Sequence, residues 1–269
     1  MCVGALAGTC DGLAMPMNTG AHGWKKPLQS ALLLALICLP PAVRAWGSLI
    51  LLAPPPQNDS LSVGASYWQV PRSPDGLHAD RTVLPALDYE RHDGIFVSTE
   101  TGIGYNASRT DQWQAGVRLW PQFGRARQDS SSELPRIGPR IQGQGYANVL
   151  LAGMVLAQSA ISAGSGHDRS GLQAEWGLSS GVPWSSGVLG LGLAATWGNK
   201  TFRRDYTGVD RAGWTDWSWT ISLDQKLGGA WHMDGQLQCA QILRHGATDA
   251  PGAQDWHPSA LMLSLWRDW

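Results

Sequence analysis

The chain has 269 residues and a formal net charge of −1, with charged side chains at 15% and hydrophobic ones at 43%. So few charges, in near balance, exclude a nucleic-acid binder, which needs a basic face, and fall below the roughly one quarter usual for soluble domains. Downstream of the leader described next there is no run of about 18 apolar residues, so helical membrane spans are excluded from the body of the chain.

The first element is an export signal. Lys25 and Lys26 precede an apolar run from Leu28 to Leu39, and Val43-Arg44-Ala45 offers a small-x-small cleavage site before Trp46. The run is too short to span a bilayer and ends at Pro40-Pro41, which is the layout of a secretory signal peptide over residues 1–45. Met15 and Met17 are alternative starts for that leader. Cleavage after Ala45 removes Cys2, Cys10 and Cys38, leaving Cys239 with no partner for an internal disulfide in an oxidising compartment. It also removes Lys25, Lys26, Arg44 and Asp11, so residues 46–269 carry 17 basic against 20 acidic groups.

From Leu61 the chain divides into segments of ten or so residues with alternating polarity, separated by turn chemistry. Leu61–Val70 and Thr82–Arg91 come first, and His92-Asp93-Gly94 is a tight hairpin turn. Ile95–Tyr105 reads as one strand with Ile95, Val97 and Ile103 on one face and Glu100 on the other. After a turn at Asn106–Thr110, Trp113, Ala115, Val117 and Leu119 alternate with Gln112, Gln114 and Arg118. A polar loop over 124–140 leads to Ile141–Leu151 and Met154–Ala163, rich in Gly, Ala and Gln. Leu172, Ala174, Trp176 and Leu178 restore the alternation before a turn at Gly181-Val182-Pro183, and Leu189–Trp197 repeats it. A charged loop, Asn199–Arg211, precedes Trp217–Leu223; Gly228-Gly229 turns the chain into Trp231–Cys239; a polar loop spans Arg244–Trp256. The last segment, His257–Trp269, sets Leu261, Leu263, Leu265 and Trp269 on one face and Ala260, Met262, Ser264, Trp266 and Asp268 on the other.

A strand greased on one face and wetted on the other, with nothing after it to cover the grease, fits the closing strand of an antiparallel transmembrane β-barrel. The pattern gives eleven segments, whereas single-chain bacterial barrels have an even number. Twelve strands follow if Trp46–Ala53 supplies another; ten is the alternative. Trp120, Trp184, Trp197, Trp214, Trp231, Trp256 and Trp269 fall near strand ends, where indoles sit well at the lipid headgroup level. Export, few charges and this patterning together place residues 46–269 in the bacterial outer membrane as one barrel domain.

Two stretches carry a family resemblance. VLPALDYERHDGIFVSTETGIGYN (Val83 to Asn106) and AGVRLWPQFGRARQD (Ala115 to Asp129), within a similarity running from Ser60 to Trp269, resemble the MipA/OmpV family of outer-membrane proteins. The resemblance implies a barrel that scaffolds murein-remodelling enzymes, a lytic transglycosylase and a penicillin-binding protein, with membrane lipid around it. Members tend to close on Tyr-x-Phe, where this chain has Arg267-Asp268-Trp269.

Catalytic signals are sparse. His257 and Ser259 point the same way on a strand, as in outer-membrane lipid-modifying enzymes, but Pro258 stands between them, and Asp255 and Asp268 are poorly placed to orient the imidazole. His78, His92, His167, His232, His245 and His257 show no metal-ligand spacing, and no cofactor motif is present. The chain therefore reads as a non-enzymatic anchor or scaffold, with a narrow channel as runner-up and a lipid-modifying enzyme third. Inside the barrel, alternation turns Glu100 and Arg118 toward the lumen on consecutive strands, with Glu100 opposite a residue near Val117 and Arg118 in diagonal reach, an expected ion pair.

Overall fold

The computed structural model describes residues 55–269, except 73, 77, 109, 111, 123–124, 126–133, 153 and 246–253, and for 121–122 it describes the backbone alone. The leader and the segment Trp46–Ala53 lie outside the described residues. Twelve strands form a closed antiparallel barrel: β1 (Ser60–Pro71), β2 (Ala79–Glu90), β3 (Ile95–Ser98), β4 (Gly102–Asn106), β5 (Trp113–Gln122), β6 (Arg140–Leu151), β7 (Val155–Ser165), β8 (Gly171–Trp184), β9 (Gly187–Gly198), β10 (Gly213–Gly228), β11 (Trp231–Ile242) and β12 (Ser259–Asp268). One helix, α1 (Lys200–Thr207), lies between β9 and β10.

Closure is by neighbours throughout, with β12 returning to β1 in the register Ser62↔Asp268 to Gln69↔Leu261. At this seam the two backbones approach so closely that a Cβ on Gly64 would meet the Leu265 carbonyl oxygen at 2.0 Å, so glycine is required there. The outward face is apolar and bare. Val83 is 67% exposed, Leu191 62%, Leu193 61% and Ile161 60%, values that water would punish and hydrocarbon would cover. The inward face holds buried Gln, Ser, Thr and Asn side chains from nearly every strand. That inversion of a soluble protein, together with closure, excludes the two-sheet sandwich and establishes the transmembrane barrel. No described helix is long and apolar enough to cross a membrane.

The twelfth strand arises differently from the sequence expectation. Ile95–Tyr105 is not one strand but two short ones, β3 and β4, folded back on each other with Ser98 paired to Gly102. Thr99, Glu100 and Thr101 form the tip, and Gly102 takes φ +90°, the left-handed backbone that lets β4 leave the turn. Val117 consequently pairs with Tyr105 rather than lying near Glu100. The even strand count sends both barrel ends to the periplasmic side, so β1, β5, β7, β9 and β11 end, and β2, β6, β8, β10 and β12 begin, on the outer side.

Other boundaries shift in smaller ways. β8 runs straight through Gly181-Val182-Pro183, and the chain turns instead at Ser185 and Ser186. The Asn199–Arg211 loop contains α1, started by the Asn199 side chain accepting the Phe202 N–H at 2.9 Å and ended by Gly208 at φ +76°. Trp184, Trp214, Trp231 and Trp269 face outward near strand ends as expected. Trp120 does not: it is 4% exposed and faces the lumen, because the alternation that sends Leu119 out sends Trp120 in. Trp256 packs against the inner core as well.

Candidate functional site

The interior has two zones. At the outer end, inward side chains of β1 (Trp68, Val70), β11 (Ala240, Ile242) and β12 (Ala260, Met262) are apolar and packed together with Phe202 and Tyr206 of α1 and with Ile137. The helix is therefore seated inside the barrel mouth. An eight-residue helix is marginal alone, and burial of Phe202 and Tyr206, whose rings lie 4.6 Å apart, is what holds it.

Buried guanidinium groups tie α1 in place. Arg125 donates through Nη2 to the Asp205 carbonyl at 2.6 Å and to the Pro135 carbonyl at 3.0 Å. Arg244 donates through Nε to the Thr207 carbonyl at 3.2 Å and stacks 3.9 Å over Trp256. These cations occupy the last turn of the helix, where free carbonyls and the dipole favour positive charge. Arg203 reaches the Arg211 carbonyl at 3.3 Å, and burial, helped by the nearby Arg211, pushes its guanidinium below the ordinary value. At the rim, burial works to raise Asp255, but the Arg244 backbone N–H at 2.9 Å and Gln241 Nε2 at 2.7 Å outweigh it, so its carboxyl titrates below the usual range.

Below the plug the lumen is polar. Glu100, at the β3–β4 tip, is 2% exposed and accepts from Ser66 Oγ at 2.7 Å and Ser264 Oγ at 3.3 Å, joining the hairpin to the β1–β12 seam. The tip is locked from within by Ser98 Oγ, which accepts the N–H groups of Glu100 and Thr101. Arg118 on β5 is 3% exposed and donates through Nη1 to the Thr101 carbonyl at 3.0 Å and through Nε to Gln144 at 2.7 Å. Gln144 passes the chain on to Ser162 at 2.8 Å, and Arg118 lies 4.4 Å over the Trp120 ring. Glu100 and Arg118 thus both face the lumen and both hold the same three-residue tip, one from each side. Glu175, Asp216, Asp224 and Asp234 are further buried inward carboxyls, and Asp224 lies directly across the ladder from Asp234. Sequence reasoning found the inward residues by alternation but had no signal for the long-range partners Ser66 and Ser264.

His257 and Ser259 are both exposed at the outer end of β12. Asp255, two residues before His257, is engaged by Gln241 and Arg244 as above. Among the described residues, no group of three or more His, Cys, Asp or Glu side chains is arranged to hold a metal ion. Cys239 is a free, half-buried thiol on the outward side of β11, in step with Leu237.

A family model described as MltA-interacting protein MipA matches residues 62–255. No curated protein matches the sequence. Among solved structures, the chain is similar to an outer membrane channel from Pseudomonas putida F1, at 11% identity and a TM-score of 0.42 over 80% of this chain and 96% of that one. It is also similar to the NanC porin, at 10% identity and 0.42 over 77% and 98%. A third is the outer membrane channel DcaP of Acinetobacter baumannii, at 7% identity and 0.39 over 79% and 96%.

Proposed function

The chain belongs to the MltA-interacting protein MipA family of outer-membrane proteins, and on that premise we propose that this outer-membrane barrel is a non-enzymatic anchor for murein-remodelling enzymes. The observation that carries the reading is the packed mouth: Phe202, at 0% exposure, and its apolar neighbours fill the outer lumen, as suits a rigid fixture more than an open pore. The family's description supports a murein-cleaving lytic transglycosylase as partner; the resemblance adds a penicillin-binding protein. Such partners would meet the periplasmic turns at His92, Thr110, Ser186 and Ala230. Export would use the leader, cut after Ala45, and envelope-recovered protein should begin at Trp46 on N-terminal sequencing; an intact leader would refute that cut.

The test is site-specific photocrosslinking in intact cells. A crosslinker at His92 or Ser186 should capture a lytic transglycosylase, and one at the outer residue Asp168 should not. Equal capture from both sides, or none from the periplasmic turns, ends the anchoring reading. A second reading, a narrow cation-preferring channel, is favoured by the inward carboxyls Glu100, Glu175, Asp216, Asp224 and Asp234. Steady single-channel steps in a planar bilayer with cation-selective reversal would support it; silence would remove it. No catalytic role is assigned to His257 or Ser259, and unchanged lipid acyl patterns on expression would agree.

A further inference from the structure

The outer wall carries one groove that the anchoring role does not use. It measures about 390 Å³ and is lined by Val63, Gly64, Ala65, Trp231, Leu265, Arg267 and Trp269, across the β11–β12–β1 seam at the periplasmic end. The ladder registers explain its shape. Trp231, Arg267 and Val63 form one outward row across the three strands, and Met233, Leu265 and Ala65 form the next row toward the membrane centre. Ala65 is the small residue of that second row, so the surface dips beside Leu265 just above Arg267. At roughly 30 Å³ per small group, as for a water in the liquid, the groove takes about a dozen heavy atoms, the size of an acyl-chain segment.

Arg267 stands at the polar end of this dip. Its guanidinium lies 4.1 Å over the Trp269 ring and 5.9 Å from the Trp231 ring, held between two indoles at the level where indoles mark the headgroups. Its neighbour Asp268 turns to the other face, where it accepts from Ser62 Oγ at 2.8 Å and pairs with His232 at 3.5 Å. Among the described residues no carboxylate pairs with Arg267. A stacked cation that no described carboxylate pairs with, above an apolar slot and beside hydrocarbon, suits an anionic amphiphile in charge and shape.

We propose that this groove is a specific phospholipid site of the inner leaflet, with one acyl chain along Ala65 and Leu265 and the headgroup phosphate on Arg267. The planar fork of arginine suits a phosphate in two-point contact, while the indoles keep it from folding back into the wall. The site does not depend on the anchoring role. It depends on the membrane-facing wall already described.

The experiment is native mass spectrometry of the purified full-length mature barrel in detergent, titrated with dioleoylphosphatidylglycerol. Dioleoylglycerol, the same chains without phosphate, is the control. Heat-modifiable mobility in gels certifies that each variant is folded. Wild type should retain one phospholipid and not the control. Arg267→Ala should weaken retention about tenfold or more, the worth of a charge-assisted contact, and Arg267→Lys should fall between. Ala65→Phe, which fills the slot and leaves the arginine untouched, should also abolish retention. Equal retention of dioleoylglycerol, or wild-type retention in folded Arg267→Ala and Ala65→Phe, would overturn the proposal. A stable two-barrel mass in place of lipid retention would overturn it too, by showing that another copy covers the face.

Discussion

Replacing Arg118 by methionine isolates the network that holds the β3–β4 tip, because the side-chain volume stays similar while the charge and its donors go. The hydrogen bonds to the Thr101 carbonyl at 3.0 Å and to Gln144 at 2.7 Å are lost. Hydrogen bonds from a charged donor contribute about 1.5–3 kcal/mol each, and part of that returns if water enters the lumen, so the expected loss is about 3 kcal/mol. For a domain of this size, about 2–4 °C is lost per kcal/mol, which puts the drop in the heat-modifiability midpoint near 6–12 °C. Two cycles then divide the effect. Adding Gln144→Leu to Arg118→Met should cost less than Gln144→Leu costs alone, since the Arg118–Gln144 bond is already gone and what is still lost is the Gln144 donation to Ser162. Adding Glu100→Gln should cost less than Glu100→Gln alone by at least about 0.5 kcal/mol, if the proposed Glu100–Arg118 coupling acts through the shared tip. The measurement is the folded-to-unfolded band ratio against temperature for each single and double variant. Strict additivity in the Glu100 cycle would refute the coupling, and a midpoint unchanged in Arg118→Met would refute the network altogether.

Two further outcomes follow from other parts of the fold. Phe202→Ala removes a ring with no exposed surface from the mouth plug; it should destabilise by about 3–5 kcal/mol if the pocket does not collapse, read as a lower gel-shift midpoint, and loosen α1 enough to raise its amide exchange. Protection of α1 as in wild type would show that the helix stands without its core. Asp59 at the periplasmic entry of β1 is held down to about 2, first by the His92 ring at 2.7 Å, then by the His92 N–H and the Tyr89 hydroxyl. A depressed carboxyl contributes stability that is complete above its unfolded value near 3.8 and is lost as pH falls toward 2. The Asp59 carboxyl carbon should therefore titrate near pH 2 by NMR in micelles, and a midpoint near 3.8 would contradict the contact.

By itself the sequence determined which residues meet lipid and which meet the lumen, because a strand's period of two is a local property and a bilayer imposes it on every strand alike. Val117, Leu119, Leu191, Leu193, Leu263 and Leu265 point outward and Gln114, Arg118 and Ser264 point inward, as alternation dictates. The same alternation, followed strictly, also places Trp120 inside, against the pull of its position near a strand end. The ends of α1 were written locally too, in Asn199 and Gly208, although eight residues without a core would not stay helical.

Tertiary structure alone decided the break at Thr99–Thr101. Ile95, Val97 and Ile103 keep one parity straight through it, and all three are on the outward side whether the segment is one strand or two. Local chemistry supplied Gly102 as a permissive residue, but the tip is stable because Glu100 reaches Ser66 and Ser264 on strands 34 and 164 residues away, and because Arg118 donates to the Thr101 carbonyl. The groove at Arg267 has the same origin: Val63, Ala65 and Trp231 come beside it only when β12 closes on β1 and β11. Burying polar groups in a barrel requires partners with suitable geometry, and where those partners lie far off in the chain, closure of the sheet brings them together.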